Sequence, residues 1–458
     1  MSVRHVGTQT PLRAISPPVV SAKFPLRAVD SDRLFDVFVR RGPYWTIFDR
    51  ISSFLPIGDI HVLRRTCRAV QPIYDELVKS QWSVDARLKR FFKDPLKFRG
   101  VVGRCDALIS GDFALEYFER VSWKDSSCDI YVNVNRSKEL KQHIIAEGYK
   151  LESTTQVGLE DWDSAVEAPQ YESLNFIRST DSPEDYQKVE VKETVYTPLA
   201  AILESVYATS LVNVISWNKA YAVFPQPTFL QYKAYMLKLA TDEYGPLLGD
   251  LSSKGWRTQP IVWRADEDDV YDAWLGRTDC YGKYSTCRRR IGDPLTWQIS
   301  FPTIDMEKSK TPDSALEYSE FSIARPAVTD DSPKYAVSCY ILKARRFRSL
   351  VLRYEYTSCE DIMRSFYSRL ETLTRMELLK LKPSERPAAL MRRNIFGGGN
   401  LCAETFDPPE NWAFYDDDLC KWIDQAERIS CRRIKNLRKS RFKRDQGTVA
   451  PERWPLIY

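Results

Sequence analysis

Two short stretches, Cys128–Val134 and Lys188–Lys192, alternate polar and apolar residues with a period of two, and both lie among segments of helical spacing. Period two sends successive side chains to opposite faces, so each stretch predicts a half-buried strand. Strands of this kind set among helices constrain the chain to the α+β class. Around them, Ala107–Ser110 reads as a short buried strand ending at Gly111, and Phe113–Phe118 as helical. A helix capped by Ser137 is expected to stop near Gly148. Residues 152–185 are acidic and polar and read as a loop, whereas Pro198 to about Phe224 is apolar and reads as a long helical region. Together these elements predict an α+β domain over residues 95–245.

Upstream, residues 1–40 read as a tail and residues 41–94 as a compact helical module. Tyr44, Phe48, Ile51, Phe54 and Leu55 recur at helical spacing, and Pro56 with Gly58 ends that helix. Asp59 is placed to cap a second helix carrying Ile60, Leu63, Cys67 and Val70, and Pro72 to open a third carrying Ile73, Leu77, Val78 and Trp82. Residues 246–430 form a mixed region. Strands are expected at Trp297–Phe301, Tyr335–Leu342 and Leu350–Tyr356, a polar loop over 305–333, and helices over Asp361–Leu381 and from about Asp416.

Composition excludes several classes. The net charge of +5 over 458 residues is too small for a generally basic nucleic-acid binder. No apolar run reaches 18 residues, so no membrane span is expected, and the start lacks the continuous apolar core of a secretory signal. Its Arg4, Arg13, Lys23 and Arg27 faintly resemble a mitochondrial presequence, but Pro11, Pro17, Pro18 and Pro25 would break the helix such a leader needs. Ten cysteines contain no Cys-x-x-Cys, and His5, His61 and His143 are the only histidines. Neither a zinc site nor any other metal or cofactor is expected, and reduced, mostly buried thiols are. Gly397–Gly399 lacks the Gly-Lys-Ser/Thr of a phosphate loop and reads as a turn. The acidic run Asp266–Asp269 reads as a solvated first turn of a helix, and Trp217, Trp256, Trp263, Trp274 and Trp297 as core.

The run "YWTIFDRISSFLPIGDIHVLRRTCRAV", residues 44–70 with the trailing Trp82, resembles an F-box. It departs from that pattern at its start, where the family prefers Leu-Pro and this chain has Gly42-Pro43-Tyr44-Trp45. The resemblance implies a three-helix bundle that covers an apolar groove on a Skp-type linker protein of a cullin ubiquitin ligase. Phe48, Ile51, Leu55, Pro56, Ile60 and Leu63 are the docking residues it implies; the alternative is a packing element with no linker partner. The segments "ISGDFALEYFERVSWKDSSCDIYVNV" (109–134) and "VNVISWNKAYAVFPQPTF" (212–229) resemble a family of fungal proteins in which a nucleotidyltransferase-like segment follows such helices. That resemblance implies a mixed α/β body with a Gly-Ser turn and two carboxylates at i and i+2 on one strand, bridging metal ions with a third from a neighbour. Here Asp112 stands in place of the serine and Ser127 in place of the first carboxylate. Asp129 and Glu190 match the second and third, Asp125 lies two positions too early, and Lys188 and Lys192 would compete with a cation.

Residues 431–444 hold eight Lys or Arg and no acid. Arg432, Arg433, Lys435, Arg438 and Lys439 within them suit a nuclear import signal, a phosphate-backbone contact or a solvated helix end. The function these readings imply is a non-catalytic adaptor, cytoplasmic or nuclear, that docks through its helical module and binds an unknown protein target through its body. A metal-dependent nucleotidyltransferase using Asp129 and Glu190, and a nucleic-acid-associated protein acting through the basic end, are the alternatives.

Overall fold

The structure is a computed structural model; it describes residues 45–66, 71–124, 126–157, 171–179, 186–238, 244–260, 277–279, 286–304, 306–324, 339–358, 360–386 and 406–428. Helices α1 (Trp45–Ser52), α2 (Ile57–Thr66), α3 (Gln71–Ser80), α4 (Val84–Leu88) and α5 (Pro95–Arg104) come first. The Asp94 carboxylate accepts from the Lys97 N–H at 3.0 Å and caps α5, with Pro95 pre-set for its first turn. Then follow β1 (Leu108–Ser110), α6 (Gly111–Glu119), β2 (Cys128–Asn133), α7 (Ser137–Ala146), β3 (Lys150–Val157), β4 (Tyr171–Ser179) and β5 (Tyr186–Thr194). Helix α8 (Pro198–Ser205), capped by the Thr197 hydroxyl, precedes β6 (Asn213–Ile215), β7 (Lys219–Ala222) and β8 (Lys233–Tyr235). The rest comprises α9 (Gly245–Ser253), β9 (Arg257–Gln259), β10 (Arg277–Asp279), β11 (Thr286–Arg290), β12 (Trp297–Ser300), α10 (Asp313–Glu317) and β13 (Glu320–Ala324). After these come β14 (Ile341–Lys343), β15 (Arg345–Phe347), β16 (Tyr356–Ser358), α11 (Glu360–Lys380) and a helix over 416–428.

The chain is α+β. Eight strands form one sheet in the order β12-β7-β6-β1-β2-β5-β4-β3. Its β2–β5 pair is parallel, and its other described pairs are antiparallel. The edge strand β12 comes from beyond residue 245, so the sheet draws on both sides of that position. One apolar core joins Phe48, Ile57, Ile60, Leu77 and Trp82 of the first helices to Ile109, Val132 and Val191 of the sheet. The first helices therefore share their core with the body. A second core gathers Val351, Phe366, Leu370, Trp412 and Leu419. No described helix is long and apolar enough to cross a membrane.

Several sequence expectations change. The expected loop over 152–185 holds β3 and β4; they lie at one edge of the sheet, where β3 is largely exposed and needs no apolar alternation. Helix stops at Ser205 in the expected 198–224 helical region, and β6 and β7 follow, buried except for half-buried Lys219 and too short to show a period. Within 305–333 lie α10 and β13; β13 is buried despite Glu320 and Ser322, because the Thr357 hydroxyl donates to the Glu320 carbonyl and Arg288 approaches its carboxylate. Leu350–Tyr356 is mostly turn between β15 and β16, and only Ile341–Lys343 is strand near the expected 335–342. Asp59 sits in the first turn of α2 and Ser137 opens α7, so neither is a cap. Residues 335–338, Gly397–Gly399, Asp266–Asp269 and the basic run 431–444 lie outside the described residues.

Candidate functional site

The six residues expected to dock a linker separate into two groups. Phe48 and Ile60 are 1% and 2% exposed, buried in the shared core, and so are not available to a partner while the helices stay packed. Leu55 and Leu63 are half-buried against that core. Only Ile51 and Pro56 lie open. The apolar groups that do face outward are Ile47 (53%), Ile51 (43%), Phe54 (73%) and Val62 (63%). Ile47 and Ile51 are four apart on α1 and share a face, and the Arg50 guanidinium lies over the Phe54 ring at 5.1 Å. The signal for this second face was present in the sequence. Helix α1 carries more apolar residues than one stripe needs: Phe48 and Ser52, four apart, form the inward stripe, and Ile47 and Ile51 form the neighbouring one.

Arg120 fixes these helices to the body. It ends α6 in the left-handed region (φ 60°), which aims its side chain back at the helical module. Its guanidinium donates to the Ser52 carbonyl (3.0 Å), the Gln81 side chain (2.6 Å) and the Leu55 carbonyl, and lies over the Trp82 ring at 5.0 Å. Two of these acceptors are carbonyls just at or past the end of α1, which have no partner within the helix, so the charge also meets the negative pole of that helix. Next to it, burial raises the Glu119 carboxyl to about 7 against the opposing pull of Arg120 and a hydrogen bond with Tyr232. Trp82 is locked by its own ring N–H, which donates to the Phe118 carbonyl at 3.0 Å.

The sheet brings the two expected carboxylates together. Asp129 and Glu190 are register partners across the parallel β2–β5 pair. Two positions along, Tyr131 and Lys192 are partners on the same face. The Lys192 ammonium stands 3.0 Å from Asp129 Oδ2, 3.6 Å from Glu190 Oε1 and 3.3 Å from the Tyr131 hydroxyl. Ser127 donates to Asp129 Oδ1 at 2.5 Å, and Ser173 on β4 donates to Glu190 Oε1 at 2.5 Å. Burial opposes the charge on Lys192, but Asp129, Tyr131 and Glu190 outweigh it and hold the ammonium well above the ordinary lysine range. Gly111 comes so close that a Cβ there would meet Asp129 Oδ2 at 2.7 Å, with φ at +68°. Asp112, in the place of the family's serine, pairs with Lys254 at 3.1 Å; burial raises its carboxyl and Lys254 opposes the rise. Asp125 lies outside the described residues.

Among the described residues no group of three His, Cys, Asp or Glu is arranged to hold an ion. The two carboxylates that a divalent cation would need already face an ammonium. Cys105, Cys128, Cys339 and Cys420 are free thiols, and burial pushes the Cys128 thiol far up, which makes it inert.

Two cavities flank these features. One of about 330 Å³ opens at the carboxyl ends of β2 and β5, between Asn133, Thr197, Trp217 and Tyr354. The other, about 470 Å³, lies between the first helices and the sheet, with Ile60, Tyr74, Phe229 and Trp297 in its walls. No family model matches the chain, and no curated protein or solved structure matches it.

Proposed function

We propose that the chain is a non-catalytic adaptor that docks to a Skp-type linker of a cullin ubiquitin ligase through α1 and α2 and carries a protein target on its body. The observation that carries this reading is the outward exposure of four large apolar side chains, Ile47, Ile51, Phe54 and Val62, on the first two helices and the turn that joins them. Large apolar groups left in water on one short segment cost about 1–2 kcal/mol each relative to burial, and a partner recovers that cost. The face belongs to the segment whose sequence resembles an F-box, which is why the occupant is taken to be the linker. Of the docking residues that the resemblance implied, this reading keeps Ile51 and sets Phe48 and Ile60 aside as buried. Phe48 and Ile60 hold the module to the body, and its opposite side meets the partner. Such an adaptor works in the cytoplasm or nucleus, where reducing conditions keep its thiols free. Its gain in rate is one of effective concentration, with the chemistry carried out by another subunit.

Co-purification tests the reading. Ile51→Asp with Phe54→Asp should abolish capture of a tagged linker while leaving the thermal unfolding of the chain unchanged, because both side chains are exposed. If the wild-type chain captures no linker, the reading is wrong.

A further inference from the structure

The lysine at the carboxylate pair has a consequence for ligands. Two carboxylates adjacent across parallel strands, with a hydroxyl beside each, make an oxygen-rich corner of the kind hard divalent cations favour. In this chain that corner is full. The Lys192 ammonium donates to Asp129 Oδ2 and to the Tyr131 hydroxyl and pairs with Glu190 Oε1 at 3.6 Å, with its nitrogen 4.9 Å from the centroid of the Tyr131 ring. The side chains of Lys192, Asp129 and Glu190 are 12%, 13% and 19% exposed, so water does little to screen them from one another. Both Asp129 oxygens are engaged, one by Ser127 and one by Lys192.

We infer that Lys192 is a tethered substitute for a divalent cation: its ammonium occupies the position between Asp129 and Glu190 and excludes metal ions from it. A free ion would have to displace the cluster's own cation and strand that cation in a largely buried site. The tether makes the exchange harder still, because Lys192 stays at high effective concentration next to the carboxylates. Gly111 serves the same arrangement: it gives Asp129 the room to turn its carboxylate toward Lys192. The wild-type chain therefore has no metal at this corner, and a latent metal site appears only when the lysine is removed. The inference deepens the non-catalytic part of the adaptor reading and does not involve the docking face.

The test uses the full-length chain with MnCl₂ or MgCl₂ alone as the probe, against NaCl of matched ionic strength. The melting temperature of the wild type should not respond to either metal. Lys192→Ala should melt lower than wild type without metal. It should then recover by about 1–2 °C as Mn²⁺ rises to about ten times its dissociation constant. Electron paramagnetic resonance should count one bound Mn²⁺ per Lys192→Ala chain, and adding Asp129→Asn should remove both the bound ion and the recovery. If Lys192→Ala does not fold without metal, refolding from denaturant with and without Mn²⁺ reads the same property, and folding only with the ion supports the inference. A metal response in the wild type would overturn it. So would a Lys192→Ala chain indifferent to metal, or a response that survives Asp129→Asn. Linker capture should be the same for wild type and Lys192→Ala, which separates failure here from failure of the docking reading.

Discussion

Replacing Arg120 by alanine should release the N-terminal helices from the body without unfolding the sheet. The side chain donates three hydrogen bonds to the module, to Ser52, Leu55 and Gln81, and lies over Trp82. Charge-assisted bonds are worth about 1.5–3 kcal/mol each when deleted singly. Simple addition would therefore give roughly 4–9 kcal/mol, which is too much. Burial works against the charge and lowers the Arg120 pKa, and the guanidinium Nε is buried with no partner of its own, so part of the gain offsets desolvation. The positive φ adds nothing to the difference, since arginine bears the same left-handed strain as alanine. A net cost of about 3 kcal/mol follows, or a roughly hundred-fold increase in the open population of the module. Hydrogen–deuterium exchange measures this directly. Peptides from 45–66 and 71–80 should exchange about a hundred-fold faster in Arg120→Ala, with strands β1, β2 and β5 unchanged. Arg120→Lys should behave almost as badly, because an ammonium lacks the planar fork that reaches three acceptors. Unchanged exchange in the helices, or equal acceleration in helices and sheet, would refute the account of Arg120 as a local latch.

Glu119 makes stability depend on pH in a defined sense. Its folded-state value of about 7 lies above the ordinary 4.5, so the folded chain holds the proton more tightly. The associated stability is fully present below pH 4.5 and lost as pH rises to about 7. Glu119→Gln should thus be more stable than wild type above pH 7, by no more than about 3 kcal/mol, and closely similar to it below pH 4.5, as denaturant midpoints at the two extremes will show. Gly111→Ala should cost about 2–3 kcal/mol, because it adds left-handed strain to a 2.7 Å clash with Asp129. Gly148→Ala should cost only about 1 kcal/mol, since its φ is also positive but the nearest atom is Arg178 Cδ at 3.7 Å; thermal unfolding of the two variants gives the comparison.

The parts of the fold that were legible from residues are those where one face meets the core and the other meets water. Strand β2 and strand β5 alternate plainly, and β1 and α6 follow from Leu108–Phe118. Strands β6 and β7 were hidden by their shortness and near-complete burial, and β3 by its exposure at the sheet edge, because none of these imposes alternation. The partnership of Asp129 with Glu190 was readable as two candidate carboxylates, and strand parity placed Lys192 on the face of Glu190. That the ammonium reaches both acids depends on the parallel register, which no local pattern encodes. The burial of Phe48 and Ile60 was missed for a related reason. Periodicity identifies the apolar residues of α1 but does not say which stripe the body will cover, and the body covers Phe48. Arg120 gave no signal at all, since its role exists only once α6 lies against the end of α1.

Hydrogen–deuterium exchange of the purified chain, with and without saturating Skp-type linker, is the most direct test of the adaptor reading. Docking on the exposed face of a module that stays packed should slow exchange over residues 45–66, around Ile47, Ile51, Phe54 and Val62. Strands β1, β2 and β5 and the segment around Trp82 should not change. No protection at saturating linker would contradict the reading outright. Faster exchange around Leu77 and Trp82 would contradict it in another way, by showing that the linker takes the buried face of Phe48 and Ile60 and must pull the helices off the body to do so.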